Sequence, residues 1–379
     1  MKVLITSPRA PVTIDWVRLA LRSNHEVHLT DSLESPLAFF TYEQGLRPIY
    51  HKIAGPRYDF KAYAKAMTAL IEQMDLVIPT CEDIFYLEQV PLSESNRAKC
   101  LMPDKDLIFQ LHHKYAIYQI IMNPVGIVYP KTKLLESWTD LDQTQLSSTI
   151  LKPVFSRFGK EVIRDINNES YEIKPISSSY PWVQQEKING QNLCSYAICH
   201  HGEVVAQVVY QAQYCLNGSA SSYFEAYDEP RINAFVCDFV ARTNYHGQIA
   251  FDFIDNGQDI YLLECNPRAT SGLHLLSEGL RIEEAGIRYT ETGELPVKSM
   301  GKGLYFLFGL QALGQGKIAE LMRDKKRSES ILKGVPMHHL IAALAEFTKI
   351  AAVKKISLTQ ASTDDIQYDG EAGQKDVTL

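Results

Sequence analysis

Over the first hundred residues, short apolar runs alternate with stretches of helical spacing. Val3-Leu4-Ile5 leads into a polar turn, Thr6-Ser7-Pro8-Arg9. A helical stretch from about Thr13 to Arg22 follows, and then Glu26-Val27-His28-Leu29-Thr30, ending at Asp31. Strand, helix, strand in that order predicts a parallel sheet flanked by helices. Leu76-Val77-Ile78-Pro79 reads as a further strand running into Thr80-Cys81-Glu82-Asp83, a helix start with acids in its first turn.

Further along, a helix between about Pro103 and Pro130 carries His112-His113-Lys114 and is ended by Asn123-Pro124-Val125-Gly126. Strands and turns then alternate: Thr149 to Pro153, Trp182 to Glu186, Leu193 to Ile198 and Val204 to Val209. A polar loop, Asn217 to Ser222, precedes a helix from about Pro230 to Thr243 and a final hairpin. The run Gly303 to Leu310 reads as a buried segment, being shorter than the roughly 18 apolar residues of a membrane span. Thr363 to Gly370 reads as a polar surface turn in preference to a segment closing over a cleft, and Asp369 to Leu379 as a frayed end. No internal repeat is visible.

A chain of 379 residues exceeds what one core usually organises, so two or three lobes are expected. Hydrophobic residues at 45% and charged residues at 22% exclude wholesale disorder. A net charge of −7 without a long basic run argues against nucleic acid as the main partner. The apolar run at Met1 is too short for a signal peptide, which points to a cytoplasmic protein without a membrane anchor. Seven scattered cysteines without a C-x-x-C pair read as reduced core residues. His112-His113, His200-His201 and His338-His339 are neighbours in sequence and should point apart, which argues against a dihistidine metal site. No G-x-S-x-G nucleophile signature is present.

Asp31 ends the second strand where the ribose-binding acid of a dinucleotide site would stand. The turn Thr6 to Pro11 has no glycine, however, so its backbone cannot approach a pyrophosphate closely.

The strongest local pattern is the hairpin formed by Gln248 to Ile254, a turn Asp255-Asn256-Gly257-Gln258, and Ile260 to Arg268. Period-two alternation puts Ile249, Phe251 and Phe253 on one face and Asp252 on the other, with Leu262, Glu264 and Asn266 sharing a face on the second strand. A two-residue turn would separate Asp252 from Glu264. A three-residue loop or a bulge, pairing Asp252 with Leu262, aligns them, and that is the expected register. Acids so embedded either pair with nearby basic residues or hold a cation. Two carboxylates and an amide oxygen are hard ligands that suit Mg²⁺ carrying substrate phosphates, and Arg268 is placed to take a phosphate oxygen.

Glu264-Cys265-Asn266-Pro267-Arg268 resembles the E-x-N-P-R segment of ATP-grasp enzymes, especially the branch like the carbamoyl-phosphate synthetase large chain. The resemblance runs over about residues 1 to 290. It implies α/β and α+β architecture: an N-terminal parallel pre-ATP-grasp lobe over 1–103, an ATP-grasp domain over 104–300 with a small lid at about 131–190 and a larger antiparallel-sheet subdomain, and a C-terminal extension over 301–379. Asp252, Glu264 and Asn266 become metal ligands, and Arg268 and Lys152 catalytic phosphate contacts. Lys114, Lys152, Ser156, Gln185, Glu186, Lys187, Ile188 and Asn192 become ATP contacts, the Glu186 carbonyl and Ile188 amide meeting adenine.

Asn192 stands where relatives often carry a ribose-binding Glu. The loop Phe155 to Lys160 has one glycine where relatives often have several, so Ser156, Arg157 and Lys160 substitute as phosphate donors. Asn217 to Ser222 resembles an acceptor-facing loop and reads equally as a solvent loop.

The activity implied is an ATP- and Mg²⁺-dependent ligase, with Mn²⁺ a possible substitute. It activates a small carboxylate as an acylphosphate for capture by an amine. Phosphorylation of a small acid or carbamate without ligation, or a nucleotide-binding regulator without turnover, are the alternatives, and a homodimer is compatible with either.

Overall fold

The computed structural model describes residues 1–121, 126–156, 161–165, 176–216 and 220–370. Four strands, β1 (Lys2–Thr6), β2 (Glu26–Asp31), β3 (Ile49–Lys52) and β4 (Leu76–Ile78), make a parallel sheet in the order β3-β2-β1-β4. The helix Pro11–Arg22 crosses from β1 to β2 and begins at a proline, whose missing amide is no loss in a first turn. At the carboxyl end of the sheet Asp31 is not open to a ribose. Arg9 Nε donates to its Oδ2 at 3.1 Å.

A second, three-stranded antiparallel sheet comprises β5 (Thr132–Leu135), β6 (Thr149–Pro153) and β7 (Trp182–Glu186), with β7 central. The third sheet is built from β8 (Gln191–His200), β9 (Glu203–Leu216), β10 (Ala220–Ala226), β11 (Gly247–Asp255) and β12 (Ile260–Asn266). A separate hairpin, β13 (Leu280–Glu283) and β14 (Gly286–Tyr289), comes next. The short β15 (Lys298–Ser299) and β16 (Glu329–Ser330) then extend the third sheet to seven strands, β12-β11-β8-β9-β10-β15-β16.

The helix Pro230–Thr243 lays Phe235, Val236 and Phe239 on Leu193, Ile249, Phe251 and Phe253. It stops where Asn244 turns left-handed at φ 48°. The opposite face of the sheet, with Tyr196, Ile198 and Val208, joins the core that surrounds Trp16. One amide links the two sheets: Gln248 Oε1 accepts from Trp16 Nε1 at 2.9 Å and Tyr196 Oη at 2.7 Å, while its Nε2 donates to the Pro79 carbonyl at 2.9 Å. Buried at 1% exposure, Gln248 is satisfied on both ends.

Several elements depart from the sequence reading. Lys114 lies beyond the helix Lys105–His112 rather than on it. The run Gly303 to Leu310 is not buried. It opens the helix Gly303–Gly314, which buries Leu304, Phe308 and Ala312 beside Tyr223 and leaves Phe306 85% and Leu310 89% exposed. A helix apolar all round needs layers on both sides to be hidden, and here a layer packs on one.

Thr363 to Gly370 is not a surface turn either. Asp365 reaches Arg9, Asp369 takes Arg57 at 3.0 Å, and Tyr368 packs among Phe85, Phe109 and Phe155. Cysteines 100, 199 and 265 are buried free thiols, but Cys237 is exposed. Adjacent histidines do converge: the rings of His200 and His201 are 4.8 Å apart and those of His338 and His339 4.0 Å. The divergence rule holds inside regular strands, whereas His201 sits in a turn with φ 45°. The expected helix end at residues 123–125 and the frayed residues 371–379 lie outside the described residues.

Candidate active site

The hairpin of β11 and β12 positions the acids. Its loop is four residues, Asn256 to Asp259, closed by Asn256 N donating to the Asp259 carbonyl at 3.1 Å, with Gly257 at φ 90°. Asp255 pairs with Ile260 and Phe253 with Leu262. A bulge then intervenes, so Asp252 pairs with Glu264, not with Leu262 as expected. Leu263 is the extra residue. Had the ladder continued evenly, Glu264 would stand opposite Phe251 in the apolar layer. The bulge moves it to the other face, and Leu262, expected beside Glu264, stays in the apolar core with Phe253. The acids are aligned, as expected, by the bulge.

Around this pair the basic groups converge. Lys114 Nζ lies 3.3 Å from Glu264 Oε2 and donates to the Ser156 carbonyl at 2.7 Å. Asn266 Nδ2 donates to Asp252 Oδ2 at 3.1 Å, and Arg268 Nη2 donates to Asn266 Oδ1 at 3.1 Å. Arg268 also lies 3.7 Å from Glu82, in the turn that follows β4. Lys152 is buried on β6, and burial, reinforced by Lys114, pushes its ammonium down to about 8 against the pull of Glu264 and Asp252.

Burial and the facing Glu264 hold Asp252 well above the usual carboxylate range. Burial acts on Glu264 in the same direction, but Lys114 and Lys152 prevail and keep it low. The two carboxyl groups are on directly opposed residues of the hairpin, and each acts on the other's charge. Facing carboxyls of this kind share a proton or hold a cation, so the donor set fits a divalent ion.

Beside the cluster, the strand β7 carries Gln185, fully buried, whose Nε2 donates to Tyr118 Oη at 2.8 Å and Thr132 Oγ1 at 2.9 Å. Its Oε1 is buried without a partner. Glu186 N donates to the Lys131 carbonyl at 2.8 Å, and Lys187 N to the Ser148 carbonyl at 2.9 Å. The Ile188 amide finds no hydrogen-bond partner among the described residues. Gly190 is required where it stands, since a Cβ there would lie 2.1 Å from the Asp255 carbonyl oxygen.

The side chains of Lys187 and Asn192 are exposed, outside the buried cluster. Ser156 is buried and contributes its carbonyl to Lys114. Arg157, Lys160 and the loop residues 217–219 lie outside the described residues. Sequence reasoning missed Glu82 as the partner of Arg268 and Cys194 as the cross-strand neighbour of Asp252. An acid in the turn that follows a strand of the parallel sheet was the available signal for the first.

Residues 111–272 match the family described as an ATP-grasp domain, a span that contains every residue of the cluster except Glu82. The chain carries an ATP-grasp domain. Solved structures share the fold. An N5-carboxyaminoimidazole ribonucleotide synthetase in complex with ADP is 15% identical, with a TM-score of 0.60 over 83% of this chain and 85% of that one. A phosphoribosylamine–glycine ligase from Thermotoga maritima is 15% identical, with a TM-score of 0.53 over 74% and 73%. An L-amino acid ligase from Bacillus licheniformis is 14% identical, with a TM-score of 0.51 over 74% and 70%. No curated protein matches the sequence. Among the described residues, no helix is long and apolar enough to cross a membrane.

Proposed function

We propose that the ATP-grasp domain serves an ATP- and Mg²⁺-dependent ligase that joins a small carboxylate to an amine. The observation that carries this is the pairing of Asp252 with Glu264 across a bulge, beside Lys114, Lys152 and Arg268. Neighbours in fold are named as ligases and synthetases, and one of them holds ADP.

In this reading Asp252 and Glu264, with the Asn266 side-chain oxygen once Arg268 turns to phosphate, would hold Mg²⁺, which would supply charge neutralisation for the triphosphate. Lys114 and Lys152 face the phosphates from the β6 side. A polyanion bound there would strengthen the hold on the Lys152 proton that burial weakens. Arg268, held by Asn266 and Glu82, offsets charge that develops as the substrate carboxylate attacks the γ-phosphorus. The new bond is between carboxylate oxygen and phosphorus, ADP leaves, and the acylphosphate is then captured by the amine with release of phosphate. Adenine rests on Gln185 to Ile188. The buried Gln185 Oε1 and the Ile188 amide offer an acceptor and a donor for a base edge.

The test is ADP release with pooled carboxylates and amines. Release that requires one acid and one amine together, and that collapses in Asp252→Asn and Glu264→Gln, supports the ligase. Release with the acid alone identifies a kinase-like enzyme, and tight ATP binding with no release across the pools identifies a regulator. Undiminished turnover in both variants overturns the metal assignment.

A further inference from the structure

We infer that His200, His201 and His246 form a second metal site, at the start of β11 and separate from the carboxylate pair further along that strand, which takes a divalent transition ion with a preference for imidazole, zinc foremost. One ring nitrogen from each of the three lies within 4.8 Å of the others. Three imidazoles are the ligand set of an open zinc site, with a fourth position left to water.

The fold brings these residues together for identifiable reasons. His200 ends β8, and His201 with Gly202, at φ 45° and 87°, makes the tight turn into β9. Gly202 N donates to the Tyr245 carbonyl at 2.9 Å, which pins that turn to the residue preceding His246. Antiparallel pairing of Cys199 with Gly247 then sets the end of β8 beside the start of β11. A two-point attachment of this kind holds the donors near one another before any ion arrives, which lowers the ordering cost of binding.

Ring stacking alone does not account for the cluster. The rings of His201 and His246 are stacked, 4.2 Å apart and 6° from parallel, and His200 stands edge-on to both. Yet Nδ1 of His246 is buried with no hydrogen-bond partner, an omission that buried polar atoms seldom show. The cluster adjoins a pocket lined by Asp75, Lys99 and Glu284, so an ion has a route in.

With Zn–N bonds of about 2.0–2.1 Å, two nitrogens on one tetrahedral ion are roughly 3.4 Å apart. The donors therefore close by no more than about 1.4 Å. A metal lies in the plane of each ring that binds it, and two stacked rings cannot both point at one ion. His201, exposed and on a turn, must leave the stack. Binding should thus shift the His201 and His246 ring resonances together.

The experiment is calorimetric titration of the full chain with Zn²⁺ in the presence of Mg²⁺, with His201→Gln and His246→Gln in parallel and with Asp252→Asn to report any Zn²⁺ taken by the carboxylate pair. One Zn²⁺ per chain is expected, with a raised melting temperature. Affinity should weaken in both histidine variants by more than the roughly tenfold that loss of an outer partner costs, and stay unchanged in Asp252→Asn. His201 is exposed, so its variant keeps the fold and decides the matter even if His246→Gln does not. No Zn²⁺ uptake by the wild type, or equal uptake in His201→Gln, overturns the site.

Discussion

At the carboxyl end of the parallel sheet Arg9 lies between Asp31 and Asp365, whereas on the seven-stranded sheet Asp252 and Glu264 lie against each other. Arg9 and Asp31 are buried and Asp365 nearly so, whereas Asp252 and Glu264 are half-buried, and each cluster contains two carboxylates. In the first, one guanidinium sits among all the acceptors: Nε and Nη2 on Asp31, Nη1 at 2.6 Å and Nη2 at 3.1 Å on Asp365, and Nη1 on the Ser362 carbonyl at 3.2 Å. In the second, the acids oppose each other and the nearest lysine contact is single, at 3.3 Å. A closed, fully partnered arrangement serves the fold. On the proposed function, two facing acids with lysines to one side would be held in place by their surroundings for a ligand, which is where a stability–activity conflict is expected.

The contrast can be broken by substitution. Arg9→Met leaves Asp31 and Asp365 without their counter-charge and should remove about 3–5 kcal/mol of stability, read as the shift of a urea midpoint; a loss under about 1 kcal/mol would make this cluster no more than a surface ion pair. Asp252→Asn should act in the opposite sense. Turnover falls by roughly 10²–10³, the range seen when one electrostatic contact to a transition state is removed, while the melting temperature rises because the facing charge is gone. A fall in both would mean that Asp252 supports the fold. Asp365→Asn, which keeps the hydrogen-bonding shape and removes charge from the strap, should cost about 1–3 kcal/mol and leave Asp31 on Arg9.

The smallest effect is in pH dependence. Asp365, held low by Arg9 despite its burial, stabilises the fold above the ordinary carboxylate range, and that contribution is lost as pH falls through its lowered value. Asp252 is raised, so the folded state binds its proton more tightly than the unfolded chain does. Its contribution therefore weakens stability as pH rises from the ordinary carboxylate range toward neutrality. Urea midpoints between about pH 4 and about pH 7 should show Asp252→Asn gaining on the wild type as pH rises; parallel profiles would contradict the raised value.

Much of the site was legible because its signals are local. Acids at alternating positions in apolar strands, a lysine within Ile150-Leu151-Lys152-Pro153 and the helix Pro230–Thr243 follow from period and residue type. What was not legible depends on contacts far apart in sequence. The bulge that turns Glu264 out of the apolar layer follows from how β12 meets β11. Asp365 and Tyr368 find Arg9 and Phe85 across more than 280 residues, so a polar segment that looked solvated is an inner strap. Phe306 and Leu310 are exposed because no element of the described fold crosses above them. The convergence of His200 with His201 depended on a left-handed turn residue, and only the glycine that follows it hints at this in the sequence.

The central claim is that Asp252 and Glu264 are the two protein carboxylates of one divalent-ion site beside a triphosphate. Its most direct test is an anomalous difference map from crystals grown with Mn²⁺ and a non-hydrolysable ATP analogue. The account predicts a peak within coordination distance of oxygens from both acids, with the analogue's phosphates toward Lys114 and Lys152. A peak bound to neither acid, or an analogue whose phosphates lie away from those lysines, would contradict it.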